Sequence, residues 1–175
     1  MKNNRHTTQI CYDVRICSLG MIMLAWSELG LCGLTLSDNT DVLRNDLLAK
    51  FPEAHFQADL GTFEADIAGV LQFIEHPAPD FRVRLDPHGT PFQQKVWQAL
   101  AEIPLGSTAS YSEIADKIGA PKAVRAVANA CANNPLAIVI PCHRVVGRNG
   151  KLCGYRWGIA RKAELLRREA LIKID

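Results

Sequence analysis

The chain has 175 residues, 48% of them hydrophobic and 22% charged, which suits one large folded domain or two small ones and excludes a disordered polyelectrolyte. Its net charge of +2 hides an asymmetry: residues 1–88 carry 7 Lys+Arg against 12 Asp+Glu, and residues 89–175 carry 13 against 6. The longest apolar run, Leu19 to Trp26, is far too short to span a bilayer, and Met1 to Gln9 has no apolar signal-peptide core, so a cytoplasmic protein with no membrane partner is expected.

Residues 10–36 read as antiparallel β-structure. Val14-Arg15-Ile16-Cys17, Met21 to Trp26 and Leu31 to Leu36 are short apolar runs, broken by Leu19-Gly20 and by Ser27-Glu28-Leu29-Gly30. Residues 41–51 are predicted helical, with Val42, Leu43, Leu47 and Phe51 on one side. A second helix over about 60–75 puts Leu60, Phe63, Ile67, Val70, Leu71 and Ile74 on one stripe. His76-Pro77-Ala78-Pro79 ends it. A short strand, Phe81 to Leu85, and the turn Asp86-Pro87-His88-Gly89 close this half. The domain boundary is placed between residues 88 and 89, giving a small α/β domain with an antiparallel sheet, followed by a mostly α-helical domain.

In the second half, Thr90-Pro91 is a strong helix start, with Thr as N-cap and Pro at the first position. Phe92, Val96, Trp97 and Leu100 then face a core, and Ile103-Pro104-Leu105-Gly106 stops the helix. Ser110 caps a short helix with Tyr111, Ile114, Ala115 and Ile118 on one side. Gly119-Ala120-Pro121 makes a tight turn into a helix over Lys122 to Cys131, with Val124, Val127 and Cys131 inward. The pair is a helix-turn-helix in outline. Its second helix carries Lys122 and Arg125 among the small residues Ala123, Ala126 and Ala128. Small side chains allow close approach to a nucleic-acid groove or, equally, close packing against another helix. The basic balance of this half fits a polyanion, or a solvated basic face.

Asn134-Pro135 opens a new element. Leu136 to Ile140 is a continuous apolar run, read most simply as a buried strand, and it leads into Pro141-Cys142-His143-Arg144-Val145-Val146. A thiol attacks as its thiolate, and a neighbouring base or cation promotes that form. Cys-His alone is equally a buried cysteine beside a structural histidine.

Taken together, Pro-Cys-His-Arg-Val at 141–145, the Asn134-Pro135-led apolar run and the preceding helix pair resemble the 6-O-methylguanine-DNA methyltransferase family, also called methylated-DNA–protein-cysteine methyltransferases. The variant is most like the C-terminal half of bacterial adaptive-response proteins. The likeness runs on through Gly154-Tyr155-Arg156-Trp157-Gly158 and Lys162 to Glu169. It runs back through Pro121 to Val127, Ser110-Tyr111 and Phe92 to Trp97. It covers most of residues 89–171, while residues 10–86 match only in their order of strands and helices, which implies a ribonuclease H-like first domain.

The resemblance implies repair of double-stranded DNA containing alkylated guanine. The alkyl group moves from 6-O-alkylguanine, less readily from 4-O-methylthymine, to Cys142, once per molecule. His143 acts on Cys142 through a water, and Glu169 orients His143. Tyr111 protonates the leaving base, and Asn134 ties the elements around the site together. Arg125 fills the gap left by a flipped nucleotide. Lys122, Ala123 and Ala126 meet DNA from the recognition helix. Tyr155, Arg156 and Trp157 wall the base pocket, and Lys162 is counted with these base- and DNA-binding residues. The preferred alkyl group is methyl. No cofactor and no metal are implied, and a monomer is expected.

Plainer roles stay open for several of these residues. Glu169 lies beside an apolar face expected at Ile159, Ala163, Leu166 and Ala170, and pairing with Arg161 or Lys173 at the surface competes with the histidine role. Tyr111 is also a core residue, Arg125 a phosphate contact, and Asn134 a turn residue before proline. The competing functions are a Cys-His acyl-transfer hydrolase, which would turn over, a DNA-binding module without chemistry, and a metal protein gathering Cys11, Cys17, Cys32 and His88. The last lacks any closely spaced cysteine pair.

Overall fold

The β1 strand (Gln9–Cys17), β2 (Gly20–Ser27) and β3 (Gly30–Ser37) form an antiparallel meander closed by two-residue turns. This computed structural model describes residues 9–172. Gly30 sits at φ +147°, and a Cβ there would meet the Arg84 carbonyl oxygen at 2.6 Å. The missing side chain lets the segment before the second half pair with β3: Leu31 donates to Arg84 at 2.9 Å, and Asp86 donates to Leu31 at 2.8 Å. Helix α1 (Thr40–Lys50), capped by Asn39, leads to a fourth strand, β4 (His55–Ala58). It joins β1 in parallel, so the sheet is mixed, in the order β3-β2-β1-β4. Helix α2 spans Glu64–Glu75.

The central strand β2 is buried on both faces, which explains its unbroken apolar run. Met23 and Ala25 pack with Ile10, Cys32, Leu43 and Leu47 beneath α1. Ile22, Leu24 and Trp26 face the opposite way into the main core, with Ile67, Val70 and Ile74 of α2. That core continues without a break into the second half, taking in residues on both sides of position 88.

The second half is built from α3 (Pro91–Ala101), the two-residue β5 (Ala109–Ser110), α4 (Tyr111–Lys117), α5 (Val124–Ala132), the equally short β6 (Val145–Val146) and α6 (Ile159–Ala170). The strands β5 and β6 pair in parallel. Both predicted caps are complete capping boxes: Thr90 with Gln93, and Ser110 with Glu113. Helices α4 and α5 pack on each other and on α3, and Gly119 at φ +72° makes the turn between the first two. Trp97 Nε1 donates to the Ala130 carbonyl at 2.9 Å, pinning α3 to α5.

Several expectations are corrected. The sheet is not purely antiparallel, because β4 was not foreseen. Phe81 to Leu85 forms no strand, only an isolated bridge between Leu31 and Leu85. Leu60 is 87% exposed, because α2 begins at Glu64. Helix α5 begins at Val124, whose side chain is exposed, while Val127, Ala130 and Cys131 are buried.

Residues 136–140 are not a strand. Leu136 bridges Leu34, and the chain then turns sharply. Val139 donates to the Ala137 carbonyl at 2.7 Å around Ile138, the one non-glycine residue with positive φ (69°) among those described. A β-branched residue in this region is strained. It is held because Leu136, Ala137, Ile138 and Ile140 are all buried and Ala137 donates to Leu34 at 3.0 Å.

Candidate active site

The turn at 136–140 delivers Cys142 to the core. Pro141, at φ −81° and ψ 58°, forms an inverse γ-turn in which Cys142 donates to the Ile140 carbonyl at 2.8 Å. Cys142, His143 and Arg144 then make one turn of 3-10 helix, all buried. Asn134 holds this corner together. Its Nδ2 donates to the Ile140 carbonyl at 2.8 Å and to Cys142 Sγ at 3.2 Å, and its Oδ1 accepts from the Leu136 amide at 2.9 Å.

His143 reaches Glu169 on α6, with Nε2 and Oε1 2.7 Å apart. Arg144 grips the same carboxylate through Nε and Nη2 and donates to the Ile103 carbonyl at 2.7 Å through Nη1. Burial works to raise the Glu169 pKa, but the hydrogen bonds from His143 and Arg144 outweigh it and hold the carboxyl near 2. Burial lowers the His143 pKa against the pull of Glu169. The ionised carboxylate therefore accepts from Nε2–H of a neutral imidazole, which leaves Nδ1 unprotonated. That atom is buried and has no protein partner. Burial raises the Cys142 pKa, while the Asn134 amide and the Lys162 ammonium favour the thiolate. The arrangement is a carboxylate, an oriented imidazole with a free basic nitrogen, and a buried thiol beside it.

Tyr111 begins α4, half-buried. Burial, and then the nearby sulfurs of Cys131, Cys153 and Cys142, push its phenol up to about 12, so it stays protonated. Tyr155 buries its hydroxyl without a partner, and its pKa too is raised by burial and then by Cys142. Helix α5 and its approach leave Lys122, Arg125 and Ala126 exposed on one surface, with Ala123 half-buried at the N-cap.

Three expected contacts are revised. Lys162 is fully buried, and its ammonium donates to the carbonyls of Val145 (2.6 Å) and Cys153 (3.1 Å). It staples the two ends of the exposed loop between β6 and residue 153 from inside the core, not from the expected DNA-facing surface. Arg156 and Trp157 turn toward the first half. Arg156 pairs with Asp46 of α1 at 3.0 Å, and Trp157 Nε1 donates to Thr35 Oγ1 of β3 at 2.9 Å. The buried face of α6 carries Lys162, Leu165 and Glu169, not the expected Ile159, Ala163, Leu166 and Ala170. Ile159, Ala163 and Ala170 are exposed. Arg161 serves Asp38 and the Leu19 carbonyl, and Lys173 lies outside the described residues. Among the described residues no three His, Cys, Asp or Glu side chains converge as a metal-holding group.

Sequence reasoning gave Arg144 no role beyond the motif that contains it. The signal is a cation followed directly by Val145-Val146 and preceded by the apolar run ending at Ile140, because a charge carried into a core needs a buried partner.

Residues 91–171 match the family model described as 6-O-methylguanine DNA methyltransferase, DNA binding domain. The chain is 50% identical over 160 residues to the bifunctional transcriptional activator/DNA repair enzyme Ada of Escherichia coli, covering 91% of this chain and 45% of that protein. It thus spans less than half the length of that relative. It is 47% identical over 140 residues to the methylated-DNA–protein-cysteine methyltransferase of Mycobacterium tuberculosis, covering 78% of this chain and 85% of that one. The crystal structure of M. tuberculosis OGT in complex with DNA superposes with a TM-score of 0.76 at 40% identity, over 93% of this chain and 92% of the other. On identity sustained across both of its halves, the chain belongs to the 6-O-methylguanine-DNA methyltransferase family.

Proposed function

We propose that this protein repairs DNA by moving an alkyl group, preferentially methyl, from oxygen 6 of guanine to Cys142 Sγ, once per molecule. The observation that carries the reading is the buried Cys142 thiol, held by Asn134 at 3.2 Å beside an imidazole locked by Glu169 at 2.7 Å with its other nitrogen free. His143 Nδ1 takes the thiol proton through a bridging water. Sulfur attacks the alkyl carbon, the S–C bond forms, and the C–O bond to guanine breaks. Tyr111 supplies a proton to the departing base, so that overall the thiol proton replaces the alkyl group on guanine. The product is a thioether. It has no carbonyl for water to attack, so nothing restores the thiol and the molecule is spent.

The target atom lies inside the duplex, and the nucleotide must rotate out at a cost of about a few kcal/mol. The exposed surface with Lys122, Arg125 and Ala126 lies against the DNA, with Ala123 at its edge. Arg125 fills the vacated stack, and the small side chains permit close approach. This binding is weakly sequence-dependent and salt-sensitive. The protein acts as a monomer on chromosomal DNA in the cytoplasm.

The test is intact-protein mass after incubation with a duplex holding one 6-O-methylguanine, followed by mapping of the modified residue. One methyl per chain at Cys142, absent in Cys142→Ala, is the expected result. Loss of methylguanine without protein modification would show a turning-over enzyme. Binding without either change would show a recognition module.

A further inference from the structure

The wall beside the thiol is fixed from the other half of the molecule. Trp157 meets the Tyr155 ring edge-on, with centroids 5.2 Å apart and planes at 69°. The hydroxyl of Tyr155 is buried near Cys142 with no partner. Trp157 Nε1 donates to Thr35 Oγ1 at 2.9 Å, and Thr35 Oγ1 donates to Asp46 Oδ2 at 3.0 Å. The same Asp46 oxygen takes Arg156 Nη2 at 3.0 Å, and the Arg156 guanidinium lies 5.8 Å from the Trp157 ring centre. One carboxylate thus anchors two consecutive residues of the loop, one directly and one through a hydroxyl. Behind them is a cavity of about 30 Å³, room for about one water molecule. Thr35, Asp46, Arg156 and Trp157 all line it.

We propose that Asp46 and Thr35 are positioning residues that set the size of alkyl group the site accepts, by bracing Trp157 and Arg156 behind the Tyr155 wall. The brace gives the first half a defined part in specificity although it touches neither the thiol nor the transferred group. With the carboxylate neutralised, Arg156 leaves for solvent, the cavity opens and Trp157 gains room to yield. With the Thr35 hydroxyl removed, the indole N–H loses its acceptor. In both cases a bulky group enters more easily, while a methyl group gains little.

This inference rests on the alkyl-transfer reading, and the two fail in different measurements. Single-turnover rates of Cys142 modification are compared for duplexes carrying 6-O-methylguanine or 6-O-benzylguanine. The proteins are the unaltered full chain, Asp46→Asn, Thr35→Val and Thr35→Ser, each checked for folding by thermal melt. Asp46→Asn and Thr35→Val are expected to raise the benzyl-to-methyl rate ratio by about tenfold, the scale on which pocket shape discriminates neighbouring groups. Thr35→Ser, which keeps the hydroxyl, is expected to keep the original ratio. Rates that change together at constant ratio in folded Asp46→Asn and Thr35→Val would overturn the proposal. An unaltered chain that accepts no methyl at Cys142 would overturn the functional reading instead.

Discussion

Arg144 meets both carboxylate oxygens of Glu169, Nε on Oε2 at 2.9 Å and Nη2 on Oε1 at 3.0 Å, in the parallel fork geometry that guanidinium and carboxylate share. It lets Glu169 stay ionised in the core while the carboxylate also orients His143. Cutting this pair leaves a buried charge short of partners, which costs about 3–5 kcal/mol. Arg144→Met is therefore expected to lose that much stability in urea denaturation. Combining it with Glu169→Gln should cost less than the two single changes added together, because the carboxylate no longer needs its counter-charge. Additive losses would show that the pair is energetically idle.

Two groups of the site make stability fall in acid. The folded-state pKa of His143 is depressed below 6.5. Its contribution is thus fully present above about pH 6.5 and is lost as pH falls through the lower folded value. Glu169, held near 2 against an ordinary 4.5, adds a second loss that begins below about pH 4.5 and runs toward 2. Denaturation midpoints measured from about pH 8 down to about pH 2.5 are expected to drop in that order, and His143→Gln is expected to flatten the upper part. A midpoint that rises from about pH 7 to pH 5 would contradict the assignment.

Lys162 donates to two main-chain carbonyls and favours the thiolate of Cys142. Lys162→Met keeps the stem and removes the charge. It is expected to cost about 2–3 kcal/mol, the scale of charged hydrogen bonds. It should also move the pH dependence of Cys142 modification by iodoacetamide to higher pH. A stability loss with no alkaline displacement would leave Lys162 a purely structural staple.

Arg125 is exposed on α5 and is proposed to replace the flipped nucleotide in the stack. Arg125→Ala is expected to slow repair of duplex methylguanine by about tenfold or more, since extrusion costs about a few kcal/mol. Its reaction with the free 6-O-methylguanine base should hardly change. Equal losses on both substrates would remove this role.

Local grammar was legible where it is strictly local. Thr90-Pro91 and Ser110 announced their helices through side chains that satisfy the first free amides, and the Gly turns between residues 17 and 30 announced the meander. What the sequence hid depends on distant partners. Leu136 to Ile140 looks like a strand because burial on all sides erases any periodicity, yet a strained turn at Ile138 runs through it. The stripe of α6 is not legible because its inward face holds Lys162 and Glu169, whose partners lie at Val145, Cys153, His143 and Arg144. Strand β4 has only four residues at a sheet edge, too short for a pattern. Cys142, His143 and Glu169 were named through resemblance, since spacing alone left the carboxylate free for a surface pairing.

The staple at Lys162 also bears on how this fold tolerates change in chain length. Between the carbonyls it joins, at Val145 and Cys153, the backbone makes a small excursion of its own. Gly147 donates to Lys151 at 2.9 Å, Gly150 turns at φ +74°, and residues 148–152 are exposed. The base of the excursion is fastened independently of its tip. Extra residues inserted there lengthen a tethered surface loop without tugging on the motif at one end or the pocket loop at the other. An affinity tag spliced between residues 148 and 152 is therefore expected to leave the fold and its melting temperature close to those of the unaltered chain.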